Sequence, residues 1–145
     1  MNLETKYHGV IEVLEKEIIH FQNGIPGFQD EKDFVLISLE EGSPFWIFQS
    51  LNTPQLGFVT VEPFQYFTKY EFEISEKDRS NLGLESEKDV VIWVILTIKE
   101  PFRESTANLQ APIIINRNNR KAKQIILNDT NYKTRERLFQ EKNNV

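Results

Sequence analysis

The longest apolar stretch of this chain is VVIWVILTI, residues 90–98. It has nine residues, fewer than half of the roughly 20 that a membrane-spanning helix needs. Polar and apolar residues do not alternate within it, so it predicts a β-strand that is covered on both faces. A buried helix is the competing interpretation, but the short length and the Val and Ile content favour a strand.

Shorter strand patterns recur on either side of this run, with Gly, Pro and Asn between them. GVIEV and EIIHF flank LEKE and predict one hairpin, and FVLISL and FWIFQS flank EEGSP and predict a second. GFVTV is a further strand. YEFEI, residues 70–74, alternates cleanly and predicts a strand with Glu71 and Glu73 on its outer face.

One short helix is predicted between Ser75, a good N-cap, and Gly83, which can end it. NGIPGF, residues 23–28, predicts a turn because its glycines permit positive φ. PIIIN and KQIIL predict a final hairpin across RNNRKA, in which Asn118 and Asn119 tolerate left-handed backbone. About eight strands with one helix indicate an all-β, mainly antiparallel sandwich or barrel.

A chain of 145 residues favours a single domain. We place this domain at residues 1–133 and expect residues 134–145, which are polar, to form a frayed helix or a disordered tail. The sequence has no Cys and no secretory leader, which makes the cytoplasm the expected location. We predict no catalytic residue, no metal site and no cofactor, because no motif for them is present.

Charge is divided unevenly along the chain. Residues 1–98 have 7 Lys and Arg against 17 Asp and Glu, a formal charge of −10, whereas residues 99–145 have a charge of +5. Such a division can steer charged partners to different faces, unless the charges mix in three dimensions. RNNRKAK, residues 117–123, is the best candidate for contacting nucleic acid, but a solvated hairpin turn is the favoured interpretation, because Lys and Arg keep such an edge soluble.

The segment TANLQAPIIINRNNRKAKQIIL, residues 106–127, combines small residues, a proline and Asn108, which can bond to neighbouring backbone. It fits a bend that leads into a core strand, and it also fits a groove that a partner's backbone approaches closely. The residue types alone do not distinguish between the bend and the groove.

Three segments, FQNGIPGFQDEKDF, PFWIFQS and TANLQAPIIIN followed by KQIIL, stand in an order and at spacings that resemble the FliW family of flagellar assembly factors. The resemblance runs from about Tyr7 to Tyr132. Two positions depart from the family's pattern: Phe48 stands where an aliphatic residue is usual, and Ala122 where Gly is common. The second departure puts the geometry of the last turn in doubt.

The resemblance implies a small β-barrel-like protein without catalysis that alternates between two partners. One is the C-terminal helical region of flagellin. The other is the RNA-binding translational regulator CsrA, which such a protein would hold away from flagellin mRNA. Direct nucleic-acid or membrane binding is not expected, and a nucleic-acid-binding barrel that uses the basic hairpin is the alternative.

Contacts with these partners are expected on the alternating strand and on the last hairpin. Each candidate could equally be a core or edge residue that contacts no partner, because interface energy concentrates in a few anchors. The candidate partner-binding residues are Glu71, Glu73, Asn108, Gln124, Ile125, Ile126 and Leu127.

Overall fold

The computed structural model describes residues 1–139 of the chain. Within this range there are eleven strands and one α-helix. The elements are β1 (Asn2–Glu4), β2 (Val10–Glu12), β3 (Ile19–Phe21), β4 (Asp33–Ser38), β5 (Trp46–Ser50), β6 (Gly57–Val61), α1 (Glu76–Leu82), β7 (Val90–Thr97), β8 (Thr106–Ala107), β9 (Ile113–Asn116), β10 (Lys121–Gln124) and β11 (Glu136–Arg137).

Seven of these strands form a closed barrel in the order β7, β6, β5, β4, β3, β10 and β9. The ring closes because β9 pairs with β7 over four residues, Val90–Trp93 against Ile113–Asn116. Every neighbouring pair in the ring is antiparallel except β3 and β10, which run parallel. The all-β, barrel-like fold predicted from the sequence is therefore confirmed.

The barrel interior is filled by apolar side chains from different strands. Phe21, Phe34 and Phe48 are fully buried there, with ring centroids 5.4–6.3 Å apart and planes inclined at 63–76°. Edge-to-face contacts of this kind stabilise aromatic cores beyond the area they bury. Phe48, the departure from the aliphatic residue expected at that position, is thus one of three interlocking rings.

A second apolar cluster lies outside the barrel and is covered by α1, β8 and β11. Ile114 and Val94 contribute to it from the outer face of the barrel, and Leu82 from the helix. Since β7 also contributes Trp93 to the interior, the strand is covered on both faces, as its unbroken apolar run predicted.

Two predicted hairpins form and one does not. β4 pairs with β5, and β9 with β10, as expected. β2, however, pairs with β1, while β3 pairs with β4 and β10. The predicted GVIEV–EIIHF hairpin is therefore wrong: residues 15–17 of LEKE form a short 3-10 helix, which breaks the hairpin.

Two further predictions are corrected. YEFEI, residues 70–74, belongs to no strand. The chain from Thr134 is not wholly frayed, since β11 pairs with β8 and Leu138 is buried beside it. Leu138 gives this segment an apolar anchor, which its polar composition concealed. The rest of the predicted tail, residues 140–145, lies outside the described residues.

The predicted helix is confirmed. Ser75 caps α1 by accepting a hydrogen bond from the Asp78 amide, and Gly83 ends the helix in a left-handed conformation. Leu82 is buried, as expected. No helix within residues 1–139 has the length and apolar character needed to cross a membrane.

Candidate functional site

A groove of about 810 Å³, which we term the acidic groove, runs past the segment that carries Glu71 and Glu73. Its charged residues are four glutamates and two arginines, and its floor is apolar. The residues that line it are Glu62, Phe64, Tyr70, Glu71, Phe72, Glu73, Ile74, Arg79, Leu84, Ser86, Glu87, Val90, Val91, Ile92 and Arg117. Within the described chain, the acidic groove therefore presents carboxylates above an apolar surface.

Segment 70–74 owes its position to tyrosines rather than to a neighbouring strand. The Tyr132 hydroxyl donates to the Glu71 carbonyl and accepts from the Glu71 amide, both at 3.0 Å. Tyr70, Phe72 and Ile74 turn inward while Glu71 and Glu73 are exposed. The predicted alternation of side chains is thus confirmed although the predicted strand is not.

Tyr70 anchors the same segment from beneath. Its side chain is 4% exposed, and its hydroxyl donates to the Leu109 carbonyl at 2.7 Å. Burial raises the pKa of the Tyr70 phenol well above its usual range, and the neighbouring Tyr132 raises it further. Tyr70 therefore acts as a neutral hydrogen-bond donor.

The other predicted contact residues lie on a neighbouring stretch of the same apolar cluster. Asn108 shapes a turn, since its side-chain oxygen accepts from the amides of Gln110 and Ala111 at 3.2 and 3.1 Å. Ile125 and Leu127 are buried in the cluster, whereas Ile126 is 50% exposed. A partner at this position would meet the Ile126 side chain and the backbone rather than its two neighbours' side chains.

Gln124 is partly buried, and its side-chain nitrogen donates to the Ala111 carbonyl at 3.0 Å. The side chain thereby joins β10 to the turn that Asn108 shapes. It does not line the acidic groove, so the two sets of predicted residues are linked through the core and not through one surface.

The basic hairpin turn is held against the rest of the protein. Asn116 is 2% exposed, and its side chain donates to the carbonyls of Leu82 and Gly83 and accepts from the Asn118 amide. The left-handed residue of this turn is Arg120, with φ of 64°, whereas Asn118 and Asn119, which would tolerate that conformation, do not adopt it. The asparagines instead use their side chains as hydrogen-bonding partners.

The Lys and Arg side chains of this turn point to different places. Lys123 pairs with Asp78 at 2.6 Å, Arg120 donates to the Glu17 carbonyl at 3.1 Å, and Arg117 lines the acidic groove. Ala122, which raised doubt about the turn, lies in β10 and is buried in the barrel interior.

Comparison with known proteins places this arrangement in a family. The profile described as FliW protein matches residues 2–138.

The chain belongs to the FliW family.

A solved structure, described as the crystal structure of the flagellar assembly factor FliW, superimposes with a TM-score of 0.94 at 54% identity. It covers 98% of this chain and 99% of that one. The flagellar assembly factor FliW of Geobacillus sp. (strain WCH70) is 56% identical over 142 residues, 98% of each chain. That of Bacillus subtilis (strain 168) is 47% identical over 135 residues, 93% of this chain and 94% of the relative.

The Gln49–Ser50 pair, part of the resemblance to FliW, organises the loop after β5. Gln49 is fully buried; its side-chain nitrogen donates to the carbonyls of Ser50, Pro54 and Leu56, and its oxygen accepts from the Lys6 amide. The Ser50 hydroxyl bonds to the Glu31 carboxylate. The pair therefore has a structural role in this FliW-family chain.

Sequence reasoning missed several residues of the acidic groove. Arg117 had been assigned to a basic hairpin cluster, and Phe64 followed a proline with no pattern around it. Tyr132 does not line the groove but holds its edge; it lies 61 residues from Glu71 in the chain, and no local signal connects them. The groove residues of segment 70–74 are the exceptions, because the strand-like alternation of YEFEI separates Glu71 and Glu73 from the apolar side chains between them.

Proposed function

We propose that this FliW-family chain acts in the cytoplasm by binding two proteins in turn, flagellin and the translational regulator CsrA, and that it catalyses no reaction. When flagellin is scarce the chain holds CsrA, and flagellin mRNA is translated. When flagellin accumulates, it takes the chain away and CsrA is released to repress translation. The observation that carries the proposal is the acidic groove, in which exposed glutamates stand above an apolar floor.

The charge of the acidic groove suits CsrA. An RNA-binding protein is expected to present a basic surface, which a negative field attracts over distances comparable with the Debye length. Glu71 and Glu73 are exposed at the rim, and residues 1–98 have a formal charge of −10. Such a field increases the association rate and also repels RNA.

The floor of the acidic groove suits the amphipathic C-terminal region of flagellin. Helices bind in grooves through apolar side chains spaced along one face, while a few polar groups fix their orientation. Phe64 is 44% exposed at this position, with Phe72 and Ile74 partly buried beside it. Competition for this one floor would make the binding of the two partners mutually exclusive.

A nucleic-acid-binding barrel, the alternative, draws less support from the hairpin. Of its four cations, Lys123 is paired with Asp78, and Arg117 lines the acidic groove. Phosphate binding requires several cations to converge on one backbone. A salt titration against single-stranded RNA tests this alternative, and we expect no binding at physiological salt.

Hydrogen–deuterium exchange of the full chain with purified CsrA, and separately with a C-terminal flagellin fragment, tests the proposal. We expect both partners to slow exchange at residues 70–74 and 90–92, which line the acidic groove. Exchange at residues 40–43, in the connection between β4 and β5, serves as the internal control and should not change. Absence of binding by either partner, or protection that avoids the groove with both, contradicts the proposal.

A further inference from the structure

The barrel has a seam where β3 and β10 run side by side. Their parallel pairing covers only two residue pairs, Lys121 with His20 and Ala122 with Phe21. β3 ends at Phe21, but β10 continues to Gln124. Beyond Ala122, therefore, no described strand covers this edge of β10.

The uncovered edge continues past the end of β10. The Ile125 amide donates to the Pro112 carbonyl at 3.0 Å, and the Leu127 amide donates to the Gln110 carbonyl at 2.8 Å. Because backbone groups of an antiparallel pair alternate in direction, the groups of Ile126 point the opposite way. Within residues 1–139, the Ile126 amide and carbonyl have no hydrogen-bond partner in the protein, and its side chain is 50% exposed.

A cleft of about 620 Å³, which we term the seam cleft, lies beside β10 as far as Gln124, and the uncovered edge at Ile126 continues beyond it. One wall is β10, and the others are α1 and the turn that contains Gly24. The residues that line it are His20, Gln22, Asn23, Gly24, Pro26, Gln29, Asn81, Leu82, Lys121, Ala122, Lys123 and Gln124. None of these lines the acidic groove, so the two surfaces are distinct.

The sign of the charge in the seam cleft is positive, opposite to the net negative charge of the chain as a whole. Its charged side chains are Lys121 and Lys123, and among the described residues no carboxylate lines it. Lys123 is paired with Asp78, which leaves exposed Lys121 as the main positive charge. Carboxamides provide both donors and acceptors around it.

We propose that the seam cleft binds an extended, carboxylate-bearing segment of a partner protein, which adds as a strand to the edge at Gln124 and Ile126. Strand addition needs an uncovered row of backbone groups, and these residues have it. Lys121 pairs with the carboxylates of the bound segment, and the Asn and Gln carboxamides of the cleft hydrogen-bond to its remaining polar groups.

Amide chemical-shift titration of the full chain tests this inference with an end-capped peptide of alternating Val and Glu. A peptide of alternating Val and Lys serves as the charge control. We expect saturable shifts centred on the Gln124 and Ile126 amides with the acidic peptide and none with the basic one. Ile126→Pro, which removes an amide that the fold does not use, should weaken binding about tenfold.

Lys121→Glu is the second variant, because Lys121 is exposed and its substitution leaves the backbone intact. It should also weaken binding of the acidic peptide and should favour the basic one. No saturable shift, shifts confined to other surfaces, or equal binding of both peptides would overturn the inference. Concentration-dependent self-association through Ile126 would also overturn it, since the occupant would then be a second copy.

Discussion

The hydroxyl of Tyr70 donates a hydrogen bond to the carbonyl of Leu109, 39 residues further along the chain, at 2.7 Å. The bond joins the segment that carries Glu71 and Glu73 to the turn that Asn108 shapes. Segment 70–74 has no strand partner, so this side-chain bond and the Tyr132 contacts with the Glu71 backbone hold it where a sheet would otherwise do so. The shape of the acidic groove thus depends on two tyrosines.

Tyr70→Phe should therefore lower the free energy of unfolding by about 1–3 kcal/mol, because it leaves a buried carbonyl unsatisfied. Tyr132→Phe is the comparison variant: it removes the same atom from two exposed hydrogen bonds, whose backbone groups water can reach, and should cost less. Urea denaturation of both variants measures the difference. If Tyr70→Phe and Tyr132→Phe lower the free energy of unfolding equally, the bond from Tyr70 to Leu109 does not have the supporting role described here.

Gly24→Ala should destabilise the fold more than Gly27→Ala. Both glycines have positive φ, 70° and 87°, which an alanine adopts at a cost of about 1–2 kcal/mol. At Gly24 an added Cβ would also overlap the Gln29 backbone, whereas at Gly27 it meets nothing within 4 Å. Denaturant midpoints of the two variants compare the costs, and a larger loss at Gly27 would contradict this description of the turn.

Reversing the charges of Glu71 and Glu73 together to Lys should slow association with CsrA more than association with flagellin. Added salt should slow CsrA association with the unmodified chain in the same way. Glu40→Lys with Glu41→Lys is the matched control, because it changes the net charge equally at exposed positions outside the groove. Stopped-flow association rates provide the measurement. If both double variants slow association with CsrA equally, the rate depends on the net charge of the chain and not on the acidic groove.

Acid should destabilise the protein through Glu31. Burial opposes ionisation of this carboxyl, but hydrogen bonds from Ser50, Thr53 and Asn52 outweigh that effect and hold its pKa below the ordinary value of 4.5. Because the folded pKa is lowered, the stabilisation is complete above pH 4.5 and is lost as the pH falls through the folded pKa. Glu31→Gln should flatten this part of the stability profile, measured by denaturation at a series of pH values. An unchanged profile would contradict the assignment.

Features that depend on neighbouring residues could be predicted from the sequence. Ser75 and Gly83 are local signals, and they place the ends of α1 correctly. The central strand β7 was evident because an unbroken run of Val and Ile needs cover on both faces.

Features that depend on distant residues could not be predicted in this way. Alternation in YEFEI reports which side chains turn inward, but not whether a backbone partner exists, and the partner proved to be a tyrosine hydroxyl. The two polar residues of β11 give no alternation, so the apolar pair Leu138 and Phe139 was the available sign of order. At the site, Glu71 and Glu73 were found by periodicity, whereas Arg117 reached the groove only through the closure of the barrel.

Displacement of fluorescently labelled CsrA from the purified chain, followed by anisotropy as a C-terminal flagellin fragment is added, tests the central proposal most directly. We predict that flagellin releases CsrA completely, that CsrA releases labelled flagellin in the converse experiment, and that no ternary complex forms. A stable complex of all three proteins, or failure of either partner to bind, would contradict alternate binding.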